Sequence, residues 1–236
     1  KRQANNNTAV GYSALAANTD GFSNTAFGSR AGDAITTGDY NTAIGNLALS
    51  AETTGAQSVA IGHAALTTQN STTSANMFNV AVGNSAMEAN TTGAYNTAVG
   101  KSALAANTTA NSNTAVGYNS LDANTTGASN TAVGQAALGA NTTASDNAAF
   151  GKNALAVNTT GTANTSLGSY SLAANTTASN NTAVGMSALT ANTTGAGNVA
   201  VGKDALTANT TANDIVAVGY NALTANTTGS NNVAVG

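Results

Sequence analysis

The side chains able to do acid–base, nucleophilic or metal chemistry are few. The chain has 236 residues, with one histidine (His63), nine carboxylates and no cysteine. A catalytic histidine needs a positioned nucleophile or carboxylate, and none stands near His63 in the sequence. Zinc sites draw on clustered His, Cys and carboxylate ligands, so neither a zinc centre nor a triad assembles, and His63 reads as an exposed turn residue. What does recur is Asn-Thr-Thr, at Asn107, Asn124, Asn141, Asn158, Asn175, Asn192, Asn209 and Asn226. Calcium-binding solenoids place Asp in their turns. Neutral amides lack the carboxylate charge that such sites use. The triplet also matches the N-glycosylation acceptor, and regular Asn-x-Thr rows on a flat face match the spacing of an ice lattice. The expectation that accounts most directly for the spacing is a ladder, each amide bonding its counterparts above and below. The sequence therefore predicts no enzyme, no cofactor and no metal; a polysaccharide-degrading β-helix would need an acidic cluster that is missing.

These triplets are set by a period. Glycine stands at 11, 28, 45 and 62, then at 83 and every seventeenth residue to Gly236, with four extra residues between Gly62 and Gly83. A fixed short period marks a solenoid, in which each unit buries its apolar face only against its neighbours. Residues 1–236 read as a single array, with the insertion in the coil around 63–82. The stretch from Thr67 to Asn79, with Met77 and Phe78, is expected to leave the regular wall as a bulge or loop.

Counting places from glycine, the unit Gly100 to Val116 is G-K-S-A-L-A-A-N-T-T-A-N-S-N-T-A-V. Asn, Thr and Gly are weak helix formers, and apolar residues do not recur at helical spacing. Asn-Thr-Ala-Val before each glycine reads as a short strand. Glycine then turns the corner, a second strand or extended segment carries the leucine, and Asn-Thr-Thr makes the next turn. Alternation along a strand puts places fifteen and seventeen on one face and sixteen on the other. Two core rows are expected: Leu104, Leu121, Leu138, Leu155, Leu189 and Leu206 at place five, and Val99, Val116, Val133, Val184 and Val201 at place seventeen. The alanines of place sixteen, Ala98, Ala115, Ala132, Ala149, Ala183, Ala200 and Ala217, then face outward. An outward strand residue has no reason to stay that small in water, so this row is expected to pack against neighbouring subunits. Gene duplication, which copies every position, is the alternative account. From Gly93 on, place eleven alternates Gly and Ala, as if a two-coil unit had been copied. The fold class is all-β: a parallel β-solenoid (a β-roll or β-helix) of about fourteen coils, an elongated rod spanning roughly 65 Å.

Composition narrows the partners. Charged residues are 6% and aromatics 4% of the chain, and such poverty can mean disorder; disorder would not hold Val and Leu in register. Six basic residues and a net charge of −3 do not suit a phosphate backbone, so no nucleic acid is expected. No apolar run reaches the ~20 residues of a membrane span. Lys101, Lys152 and Lys203 follow glycine and read as solubility charges. The chain reads as a stretch of a longer protein.

Ser-Val-Ala-Ile-Gly at 58–62 and Asn-Val-Ala-Val-Gly at 79–83 and 198–202 resemble the head repeats of trimeric autotransporter adhesins, although the unit here is longer. That resemblance implies a left-handed parallel β-roll in which three chains associate. The longer form, Asn-Thr-Ala-Val-Gly-Tyr with Asn-Thr-Thr-Gly, is similar to repeats in phage tail fibres and bacterial surface fibres. Together they imply an extracellular or cell-surface fibre, a homo-oligomer (trimer or higher), adhesive or structural, meeting host, prey or surface glycans with avidity. A virion tail-fibre shaft is the alternative, and an ice-binding solenoid a further one.

Overall fold

A computed structural model describes residues 5–71 and 75–236. They form an all-β parallel solenoid with no helix among them. The chain divides into two compact units, 1–115 and 116–236, both built from the same coil. In the first, β1 (Thr8–Val10), β2 (Thr25–Phe27), β3 (Thr42–Ile44), β4 (Val59–Ile61), β5 (Val80–Val82) and β6 (Thr97–Val99) stack in sequence order. A seventh strand, β7 (Thr114–Val116), falls on the boundary. In the second unit the order is β8 (Thr131–Val133), β9 (Ala148–Phe150), β10 (Thr165–Leu167), β11 (Thr182–Val184), β12 (Val199–Val201), β13 (Val216–Val218) and β14 (Val233–Val235). Pairing is parallel and in register, Ala on Ala and Val on Val: Ala200 opposes Ala217 as Val201 opposes Val218.

Each strand stops after three residues because a glycine follows it. The corner glycines have φ between +129° and +145°, a region L residues rarely enter. After the corner the chain does not run extended. The leucines of place five have left-handed φ, +54° at Leu104 and +51° at Leu121 and Leu138. The segment is thus a run of tight turns, not the expected second strand. Local bonds close these turns, Ala154 N–H to Gly151 C=O at 3.2 Å and Asn158 N–H to Leu155 C=O at 3.3 Å. Between them Leu155 N–H donates to Ser171 C=O of the next coil at 3.0 Å. Left-handed backbone costs an L residue roughly 1–2 kcal/mol; burying leucine at zero exposure returns about 1.5–3 kcal/mol.

The strand faces are the reverse of the expectation. Ala98, Ala115, Ala132, Ala149, Ala183, Ala200 and Ala217 lie inside, each at 0% exposure. Val116, Val133, Val184 and Val201 lie half-buried on the outer side with place fifteen, and Val99 is 37% exposed. The alanine row is therefore core and cannot be a subunit-packing surface, and the valine row is not core. The reason is room. Ser166 at place sixteen and Ser171 at place four bring their hydroxyls within 2.5 Å of each other, so these two places face one another across the coil interior. With leucine filling the space beside them, a methyl is what fits. Accordingly, Ala183→Val should cost about 1–3 kcal/mol by overpacking, while Val184→Ala should cost less than about 1 kcal/mol. Urea midpoints of the two variants check this, and the opposite order would put valine back inside.

Candidate interaction surface

Asparagine rows tie the coils together from within. In the first unit Asn107 Nδ2 donates to Asn90 Oδ1 at 2.8 Å. In the second, Asn141 donates to Asn124 at 2.9 Å, Asn158 to Asn141 at 3.0 Å, Asn175 to Asn158 at 2.9 Å, Asn192 to Asn175 at 3.1 Å and Asn209 to Asn192 at 2.9 Å. The second amide hydrogen goes to the place-eleven carbonyl of the same coil, as from Asn158 to Gly161 at 2.9 Å. These side chains are fully buried, so in the folded chain the triplets from Asn107 to Asn209 are closed to a glycosyl donor; Asn226, in the last coil, is half-buried. The ice-lattice expectation loses its asparagine column for the same reason. Place-nine threonines add an outer seam: Thr159 Oγ1 donates to Thr176 C=O at 3.1 Å and Thr193 Oγ1 to Thr210 C=O at 3.0 Å.

A second buried asparagine row, at place fourteen, was missed. Its Oδ1 accepts the backbone N–H of the same place one coil on, Asn24 from Asn41 at 2.9 Å and Asn164 from Asn181 at 3.0 Å. Its Nδ2 reaches a place-eleven carbonyl, Asn164 to Ala178 at 2.8 Å. The signal was present in the sequence, since Asn precedes most of the strands.

The first row changes character near the insertion. Place eight is Asn18, then Ile35, Glu52 and Gln69, before Asn90 restores the pattern. Glu52 is fully buried and accepts from the backbone N–H of Thr53 at 2.9 Å and Gly55 at 2.7 Å, and from Gln69 Nε2 at 3.0 Å. Gln69 also donates to Ser58 Oγ at 3.0 Å and accepts from Asn79 Nδ2 at 2.8 Å. The carboxylate is thus held by donors, as buried charge requires. Of the insertion itself, Thr72, Thr73 and Ser74 lie outside the described residues; Met77 is buried, and Phe78 stacks on Tyr95 with centroids 5.5 Å apart. His63 is exposed, its Nδ1 3.3 Å from Asn84 Nδ2. Among the described residues no group of three or more His, Cys, Asp or Glu is placed to hold a metal, and no helix is long and apolar enough to cross a membrane.

The chemistry lies on the outside, on two strips. One is the outer strand face, whose places fifteen and seventeen present Thr or Val (Ala at 148) beside Val, Ile, Phe or Leu. The other follows the glycine. In the second unit the N–H of place three donates to the place-two C=O of the coil before, from Ala136 to Tyr118 at 3.0 Å through to Asn221 to Lys203 at 3.1 Å. That backbone seam carries Tyr118, Lys152, Tyr170, Lys203 and Tyr220.

These features define a repeat protein of the parallel β-solenoid class. Comparison with family models, with curated proteins and with solved structures finds no match for this chain. The likeness to adhesin heads therefore rests on the residues of the repeat, and the class is what the structure supports.

Proposed function

We propose that this chain is a segment of an extracellular fibre, structural and adhesive, whose work is mechanical rather than catalytic. The observation that carries this reading is the doubled internal seam. Within each unit, coil after coil is bonded to the next through strand pairing and buried asparagine rows. Stability built from nearest-neighbour terms alone lets such an array lengthen without a new core. Copies are taken to associate as a homo-oligomer, trimer or higher. With alanine inside, the support for association moves to the outer strand face, where a continuous Val-rich column meets water.

Electron microscopy of the full-length protein from its native source, with surface immunolabelling, tests this. Filaments on the cell exterior are expected; globular particles or a cytoplasmic location would overturn it, and labelling confined to virions would reassign the segment to a tail-fibre shaft. Sedimentation of the purified chain should give a trimer or larger species. A monomer would remove the association.

A further inference from the structure

In residues 116–236 the cationic and tyrosine side chains are not scattered. The only basic residues there are Lys152 and Lys203, and the only tyrosines Tyr118, Tyr170 and Tyr220. All five stand on the backbone seam of places two and three; place two otherwise carries Gln135, Ser169 and Met186, and place three carries small or polar residues with one acid, Asp204. Each lysine lies over the tyrosine of the next coil, Lys152 Nζ 5.9 Å from the Tyr170 centroid and Lys203 Nζ 5.3 Å from that of Tyr220. The tyrosines stay 40–66% exposed. Solubility would be served as well by lysines on any exposed place; it does not explain why both sit on one seam, three coils apart, each beside an aromatic ring.

We propose that this ridge binds a linear acidic polysaccharide laid along the stacking direction. The inference rests on the adhesive-fibre reading and names its partner. Three features choose the occupant. The two Lys–Tyr pairs stand three coils apart, about 14 Å at the usual strand spacing, so a partner that meets both must itself be extended. An ammonium answers a carboxylate or sulfate, while an exposed tyrosine face and edge, with the neighbouring Gln135 amide, suit the C–H faces and hydroxyls of a sugar. Two weak sites on one rigid scaffold then add by avidity. One acid opposes the ridge: Asp204, at 3.0 Å from Lys203 Nζ. Its hydrogen bond and charge push the Lys203 ammonium above its ordinary value, so the cation persists at neutral pH while part of its field is cancelled. Of the other three carboxylates, Asp122 stands at place six, and Asp146 and Asp214 at place thirteen.

The test is binding of the full chain to immobilised alginate at low salt, with dextran as the neutral control and polyglutamate as the non-sugar polyanion. Alginate should be retained and the other two not. The pair Lys152→Ala/Lys203→Ala and the set Tyr118→Ala/Tyr170→Ala/Tyr220→Ala should each weaken alginate binding at least about tenfold. Asp204→Asn should strengthen it, and raised salt should abolish it. Thr160→Ala/Thr177→Ala, off the ridge, should change nothing. Unchanged thermal midpoints of these surface variants would show that the fold survives. Equal binding of wild type and ridge variants, or equal retention of dextran or polyglutamate, overturns the proposal. Filaments that persist without alginate binding would overturn this inference alone and leave the fibre reading standing.

Discussion

Gly134→Ala should lower stability by about 3–5 kcal/mol, the sum expected of backbone strain and a steric clash. Gly134 has φ of +134°, and a Cβ built on it would lie 2.5 Å from the carbonyl oxygen of Gly151 in the next coil. Relief is not available by rotating a side chain, because the obstacle is backbone that also carries the strand register. The same relation holds at Gly185, whose Cβ would meet Gly202 C=O at 2.5 Å. Gly139 is the control. It stands at place six in the same unit, lacks a positive φ, and its Cβ would meet Ala136 and Asp122 at ordinary contact distance, 3.4 Å. Gly139→Ala should therefore stabilise by about 0.4–1 kcal/mol through the unfolded chain. Chemical denaturation of both variants decides the matter: a Gly134 variant as stable as the Gly139 one would mean that the corner is not closed as described.

That contrast bears on how much could be read from the sequence. The seventeen-residue step, the glycine corners, the parallel stacking and the place-five leucines follow from spacing, because spacing is what a solenoid repeats. Which strand face points inward does not follow from hydrophobicity. In a three-residue strand, alternation leaves two choices, and valine inside is the better one on transfer free energy alone. Volume decides instead: the Ser166–Ser171 contact shows how little space remains opposite the turn run. The left-handed leucines were equally hidden, since no propensity points a Leu to φ near +50°; only the closed coil demands it. The place-fourteen asparagines and the Lys–Tyr ridge were visible as residues. Their roles appeared once adjacent coils placed Asn164 against the N–H of Asn181 and Lys203 over Tyr220.

Asn158→Ala should cost about 3 kcal/mol. The wild-type amide makes three bonds: Nδ2 donates to Asn141 Oδ1 at 3.0 Å and to Gly161 C=O at 2.9 Å, and Oδ1 accepts from Asn175 Nδ2 at 2.9 Å. Truncation leaves Gly161 C=O its bond from Asn147 Nδ2 at 2.9 Å. It strips Asn141 Oδ1 of its donor and one Asn175 Nδ2 hydrogen of its acceptor in a site closed to water, where each unmet polar group costs about 1–3 kcal/mol. It also opens a cavity the size of an amide. The chain supplies its own comparison at the same place of the coil. Ile35 occupies the rung above Asn18, and both Nδ2 and Oδ1 of Asn18 are buried without a partner. Asn18→Ala therefore removes an unpaired amide and should cost less than about 0.5 kcal/mol, as expected where no bond is lost. If guanidinium midpoints fell equally for the two variants, the asparagine row would be filling space and the bonds along it would contribute little to stability.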